Sequence, residues 1–172
     1  MIFPPEMLDA LQEAVISKWK GNVYRHMFGA NPPARSSTTG WRWNPAMVEA
    51  IYTSCERETA LAEAEYYIAQ QPNRPKAKRT LYTIRVSLST VADLRAAELL
   101  QKLGITLDIL RSTDYSACQT IGRAVRWLGH YGLLVPSARR DSGTNLVIFQ
   151  QDLSTAEFDV MREEVIAPDE RS

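Results

Sequence analysis

Met7, Leu8, Leu11, Val15 and Ile16 recur at helical spacing behind the pair Pro4 and Pro5, which predicts a helix over residues 6–18. In NVYRHMF (22–28) the period falls to two, with Val23, Arg25 and Met27 on one face, so a short strand is expected. GANPPARSSTTG (29–40) is turn chemistry throughout and predicts a loop of a length that points to either function or disorder. MVEAIYTS (47–54) predicts a strand. ERETALAEAEYYIAQQ (56–71) predicts a helix that packs through Ala60, Leu61, Ala64 and Ile68. RTLYTIRVSLST (79–90) alternates again and predicts a strand that buries Tyr82, Ile84, Val86 and Leu88.

Residues 91–104 read as a helix stopped by Gly104, and residues 114–132 as a second with Ile121, Val125 and Leu128 at helical spacing. LLVPSARRDSGTNLVIF (133–149) reads as strand, loop and strand, with the Arg139–Arg140 pair expected on a solvated loop. STAEFDVMREEV (154–165) opens on a capping-box pattern and predicts a C-terminal helix. Strands and helices mix without strict β-α-β alternation. The expected fold class is therefore α+β, a mixed β core flanked by helices in one domain over 1–172. Within it the divisions are an N-terminal helix over 1–21, a core over 22–150 and a C-terminal extension over 151–172.

Composition narrows the function classes. Hydrophobic residues make up 45% and charged residues 23% of the 172, ordinary for a globular chain that buries a core without staples. Twenty Lys and Arg balance twenty Asp and Glu, so bulk charge gives no reason to expect nucleic acid or an anionic membrane as the direct partner. No apolar run approaches the ~20 residues that span a bilayer. The N-terminus MIFPPEMLDALQEAV places prolines and acids where a signal peptide needs a basic and then an apolar segment, so a cytoplasmic location is expected. Cys55, Cys118, His26 and His130 are scattered, without the spacing of a zinc set, and are expected to be structural.

Three segments place a polar residue where a plain core residue would be expected. Arg42 stands between Trp41 and Trp43, Tyr52 lies in the strand EAIYTS, and Glu63 is surrounded by alanine and leucine in ETALAEAEYY. On the residues alone, plainer roles stay open: Arg42 stacked in a surface cluster, Tyr52 a core tyrosine with a bonded hydroxyl, Glu63 a solvated helix residue.

The order of these segments carries more than each alone. GWRWNPAMVEAIYTSCERETALAE (40–63) resembles the signature of the RES-domain toxins: Gly-x-Arg-Trp-Asn, a strand with Tyr-x-Ser, then a helix with Ala-Leu-x-Glu. VYR (23–25) is similar to the family's first strand and puts its other arginine at Arg25. GLLVPSARRDSGTNLVIF (132–149) is similar to its closing block, with Ser137 and Asn145 as the matching polar residues. The resemblance implies an ADP-ribosyltransferase-like fold with the NAD site in the core. It implies the toxin of a toxin–antitoxin pair, whose partner is an Xre-type helix-turn-helix antitoxin. NAD is then the substrate, degraded by hydrolysis or phosphorolysis, with protein ADP-ribosylation as the alternative and an inactive binding module as a third reading. Inorganic phosphate as co-substrate and a homodimer both stay open.

The chemistry suits those residues. Arg25 and Arg42 supply planar forks for a pyrophosphate. Tyr52 offers a face to a nicotinamide cation. Glu63 is the carboxylate that meets the positive charge built on a ribose as its nicotinamide departs. Ser137 and Asn145 supply hydrogen bonds to phosphate or amide groups.

Overall fold

The computed structural model of the protein describes residues 3–149 and 151–167. Residues 1–2, 150 and 168–172 of the expected domain lie outside the described residues. The elements are α1 (Pro5–Gln12), β1 (Val15–Phe28), β2 (Ile51–Ser54), α2 (Arg57–Ala69), β3 (Arg79–Asp93), α3 (Ala97–Lys102), α4 (Leu107–Arg111), α5 (Ser116–Trp127), β4 (Gly132–Pro136), β5 (Thr144–Ile148) and β6 (Phe158–Ile166). The expected α+β class is correct: helices flank a mixed sheet, antiparallel except where β3 and β4 run parallel.

The sheet is ordered β1-β2-β5-β4-β3-β6, and β1 also pairs with β3. Five strands therefore close into a ring. The seams are unequal: β1 follows β3 from Val15↔Asp93 to Phe28↔Arg79, whereas β1 meets β2 only at Tyr24↔Ser54. The second edge of β3 is shared, with β6 beside Arg79–Val86 and β4 beside Val91–Asp93. The strands enclose one apolar cluster, including Val23, Ile51, Ile84, Val86, Leu134, Leu146, Ile148 and Phe158. The outward residues of β4 and β5, Leu133, Val135 and Val147, join a second cluster with Leu11, Leu100, Leu110, Cys118, Ile121 and Val125 from the helices. Strand alternation sorts the two cores.

Four expectations need correction. The first helix stops at Gln12, because the β-branched Val15 and Ile16 pair with Asp93 and Ala92 instead of continuing it; β1 thus runs through the division expected at 21/22. The strand expected over 47–54 is only Ile51–Ser54, since Asn44 Nδ2 donates to the Val48 carbonyl (2.6 Å) and keeps that stretch in a turn. Residues 91–93 extend β3, held by β1 on one side and β4 on the other, so the helix expected there begins only at Ala97. The C-terminal helix is a strand. Half of its capping box forms, with the Ser154 amide and hydroxyl both donating to Glu157 Oε2 (2.9 and 2.8 Å) while the Glu157 amide donates to the Ser154 carbonyl (3.0 Å), and it closes a single turn. The next nine residues fill the free edge of β3. Helix α4 has no counterpart among the expected elements; Thr106 starts it by accepting from the Ile109 amide at 3.3 Å.

Candidate active site

Register brings the polar residues together. Ser54 pairs with Asn145 across β2 and β5, and Asn145 pairs with Val135 of β4, two positions before Ser137. Alternation then sets Tyr52, Ser54, Asn145 and Ser137 on the face that carries Val147 and Val135, outside the ring. Helix α2 covers this face. It buries Ala60, Ala64 and Ile68 at four-residue spacing, so Glu63 stands at the edge of the packed stripe.

One oxygen of Glu63, Oε1, accepts from Ser137 Oγ (2.7 Å) and Asn145 Nδ2 (2.8 Å). Both donors are fixed from behind. The Ser137 hydroxyl accepts the amides of Arg139 and Arg140, each at 3.1 Å, which leaves its proton for the carboxylate. Asn145 Oδ1 accepts from Ser54 Oγ at 2.7 Å, which sets the amide the right way round. Among the described residues Glu63 has no ion pair, and its Oε2 has no hydrogen bond. The arrangement is a half-buried carboxylate oriented by neutral donors, with one oxygen available.

Tyr52 and Arg42 are joined by the turn between them. The Tyr52 hydroxyl accepts the Trp43 amide (2.8 Å) and donates to Asn44 Oδ1 (2.6 Å). Burial pushes its phenol well above the usual range, with the backbone of Trp43 and Asn44 opposing. The hydroxyl is thus a post for the Trp41–Asn44 turn. Arg42 Nη1 donates to the carbonyls of Leu110 and Ser112, the latter at 3.1 Å. The ring over its guanidinium is that of Tyr115, 4.6 Å from Cζ, and not an indole. The two indoles divide the work. Trp43 is buried against α5, while Trp41 is exposed and meets Tyr67 and Tyr115 at 6.2 and 5.8 Å.

Arg25 is not joined to this cluster by any hydrogen bond among the described residues. Its Nη1 and Nη2 donate to the carbonyls of Pro33 (2.6 Å) and Arg35 (2.7 Å), tying down the 29–40 loop. Burial lowers its pKa to about 10. Arg139 and Arg140 differ from expectation. Arg139 Cζ lies 3.3 Å from the centroid of the Tyr66 ring, and Arg140 Nη1 reaches Thr59 Oγ1 at 3.3 Å. Both are half-buried at the site rather than solvated. Tyr66 follows Glu63 by three residues and Tyr67 by four, so EYY is the signal for this aromatic border. A cavity of about 540 Å³ lies between α3–α4 and the 136–144 loop; it meets the Glu63 cluster at Ser137. Among the described residues no group of three or more His, Cys, Asp or Glu is placed to hold a metal ion.

The profile of the RES domain matches residues 18–167. The chain belongs to the RES domain family. Sequence relatives of this RES protein include the NAD(+) phosphorylase MbcT of Mycobacterium bovis and of Mycobacterium tuberculosis. Each is 30% identical over 161 aligned residues, covering 83% of this chain and 83% of the relative. A solved structure, the M. tuberculosis MbcT–MbcA toxin–antitoxin complex, contains a similar fold. Its TM-score is 0.81 at 24% identity, over 95% of this chain and 93% of that one. Among the described residues of the RES chain, no helix is long and apolar enough to cross a membrane.

Proposed function

We propose that the protein is an NAD-degrading enzyme that cleaves the nicotinamide–ribose bond, acting as the toxin of a toxin–antitoxin pair in the cytoplasm. The observation that carries this reading is Glu63: a carboxylate held on one oxygen by Ser137 and Asn145, with no ion pair among the described residues. Nicotinamide leaves with the electron pair of its bond to the ribose, and positive charge grows on the sugar. A fixed, unneutralised carboxylate stabilises that charge more than it stabilises the substrate. Arg42 and Arg25 would exchange backbone carbonyls for the more strongly accepting pyrophosphate oxygens. Tyr52 would act by holding the turn that aims Arg42.

The relatives named NAD(+) phosphorylase favour inorganic phosphate as the acceptor. Phosphate then bonds to the vacated ribose carbon, giving a phosphorylated ADP-ribose and nicotinamide. The test is incubation of pure protein with NAD, with and without phosphate, and chromatography of the products. Phosphate-dependent release of nicotinamide supports phosphorolysis. Phosphate-independent release yielding ADP-ribose points to hydrolysis, and labelling of protein to ADP-ribosyl transfer. No nicotinamide under any condition removes the reading. The partner proposed is a helix-turn-helix antitoxin of the Xre type that covers the Glu63 face and carries any operator binding, since this chain is neutral overall.

A further inference from the structure

Arg42 and Arg139 are 97 positions apart in sequence, yet both guanidinium groups end on three successive carbonyls at the C-terminal end of α4. Arg42 takes Leu110 and Ser112 from the side of the Trp41–Asn44 turn. Arg139 takes Arg111, between them, from the side of Ser137, at a long 3.4 Å. Each is braced by an aromatic ring, Tyr115 under Arg42 and Tyr66 under Arg139. Among the described residues neither has a carboxylate partner, and in both only Nη1 is engaged. Two permanent cations gathered at one place, neither in an ion pair among the described residues, repel each other. Their Nε and Nη2 donors, the edge that grips an oxyanion in two places, are unspent.

We propose that Arg139 is a second arm of an anion clamp with Arg42, and that the clamp takes the pyrophosphate of the dinucleotide whose ribose faces Glu63. The polypeptide ties the clamp to the reacting group. The Arg139 amide holds the Ser137 hydroxyl that orients Glu63, and the ring beneath its guanidinium is one helical turn beyond Glu63 on α2. The carbonyls of α4 are stand-ins: they are neutral acceptors, and an anionic oxygen makes the stronger bond. Arg25 lies apart on the 29–40 loop and does not share this acceptor set.

The inference rests on the NAD reading only for the identity of its ligand, and its test is separate from turnover. Binding of ADP and of adenosine is measured by isothermal titration on wild type, Arg139→Gln and Arg139→Lys. Wild type should prefer ADP. Arg139→Gln should weaken ADP by about tenfold or more, the scale of a lost hydrogen bond to a charged group, and leave adenosine unchanged. Arg139→Lys keeps the charge without the fork and should fall between. Equal weakening of ADP and adenosine would mean a structural role and overturn the clamp. So would an unchanged ADP affinity in Arg139→Gln, or a wild type with no preference for ADP. A wild type that binds ADP through Arg139 but releases no nicotinamide from NAD would keep the clamp and remove the proposed activity.

Discussion

Gly122 sits on α5 where the helix meets the turn that carries Arg42. A Cβ built there would lie 1.8 Å from the Trp43 carbonyl oxygen and 2.8 Å from its carbon. Such C···O contacts are normally about 3.3 Å or longer, so helix and turn must part by roughly 1.5 Å. Both sides are main chain, and no rotamer relieves the clash. The bonds at risk are the Trp43 amide on Tyr52, the Gln119 amide on the Trp41 carbonyl, and the Arg42 bonds beyond them. Overpacking costs about 1–3 kcal/mol and each lost hydrogen bond about 1 kcal/mol. Against this, Ala is preferred over Gly inside a helix by about 1 kcal/mol. With two of those bonds lost, the net expectation for Gly122→Ala is a loss of about 2–4 kcal/mol, or roughly 4–16 °C in Tm for a chain of this length. Scanning calorimetry gives the sign, and a nicotinamide assay should show a raised KM for NAD as Arg42 loses its aim. A raised Tm with unchanged kinetics would mean that helix propensity dominates and that the turn is not held as described.

Arg42→Lys keeps the charge but loses the planar Nε–Nη2 fork and the stack over Tyr115; calorimetry in a Glu63→Gln background should show NAD bound about tenfold more weakly, and an unchanged affinity would leave Arg42 a purely local brace. His26 bears on stability. Burial first, then the Arg79 guanidinium, with Glu65 opposing, lowers its pKa to about 4, and its Nε2 accepts from Arg79 Nε at 3.0 Å. Between pH ~6.5 and 4 the unfolded chain therefore binds a proton at His26 that the folded chain refuses, and stability falls as pH falls. His26→Gln keeps an acceptor without the titration and should flatten Tm against pH in that window; parallel curves would show that His26 does not set the slope.

The candidate site was legible where its residues are written in local blocks. GWRWN, IYTS, ALAE and the closing PSARRDSGTNLV place Arg42, Tyr52, Glu63, Ser137 and Asn145 in order, and the fold gathers the last three through bonds spanning 74 and 82 residues. What those blocks omit is the support around them. That the Tyr52 hydroxyl is a post follows only once Asn44 and Trp43 turn back over β2. Arg139 and Arg140 read as solvated because nothing near them in sequence shows that α2 passes alongside. Helix and strand were confused where a long-range partner overruled a local preference. Val15 and Ile16 fit a helical stripe until β3 offers an edge, and Glu157 reaches back to the Ser154 amide as a capping box would, although the strand after it answers to β3. Propensity decides the first turn; pairing decides the rest.

The proposed activity depends above all on Glu63 as the carboxylate that meets the developing charge. The direct measurement is single-turnover release of nicotinamide from saturating NAD by Glu63→Gln, beside its Tm and its affinity for ADP. The substituted glutamine keeps an acceptor for Ser137 and Asn145 while removing the charge. The chemical step should then slow by at least about a hundredfold, on the order of what one electrostatic group contributes at a transition state, with Tm and ADP binding close to wild type. Release at the wild-type rate by a folded, ADP-binding Glu63→Gln protein would contradict that role.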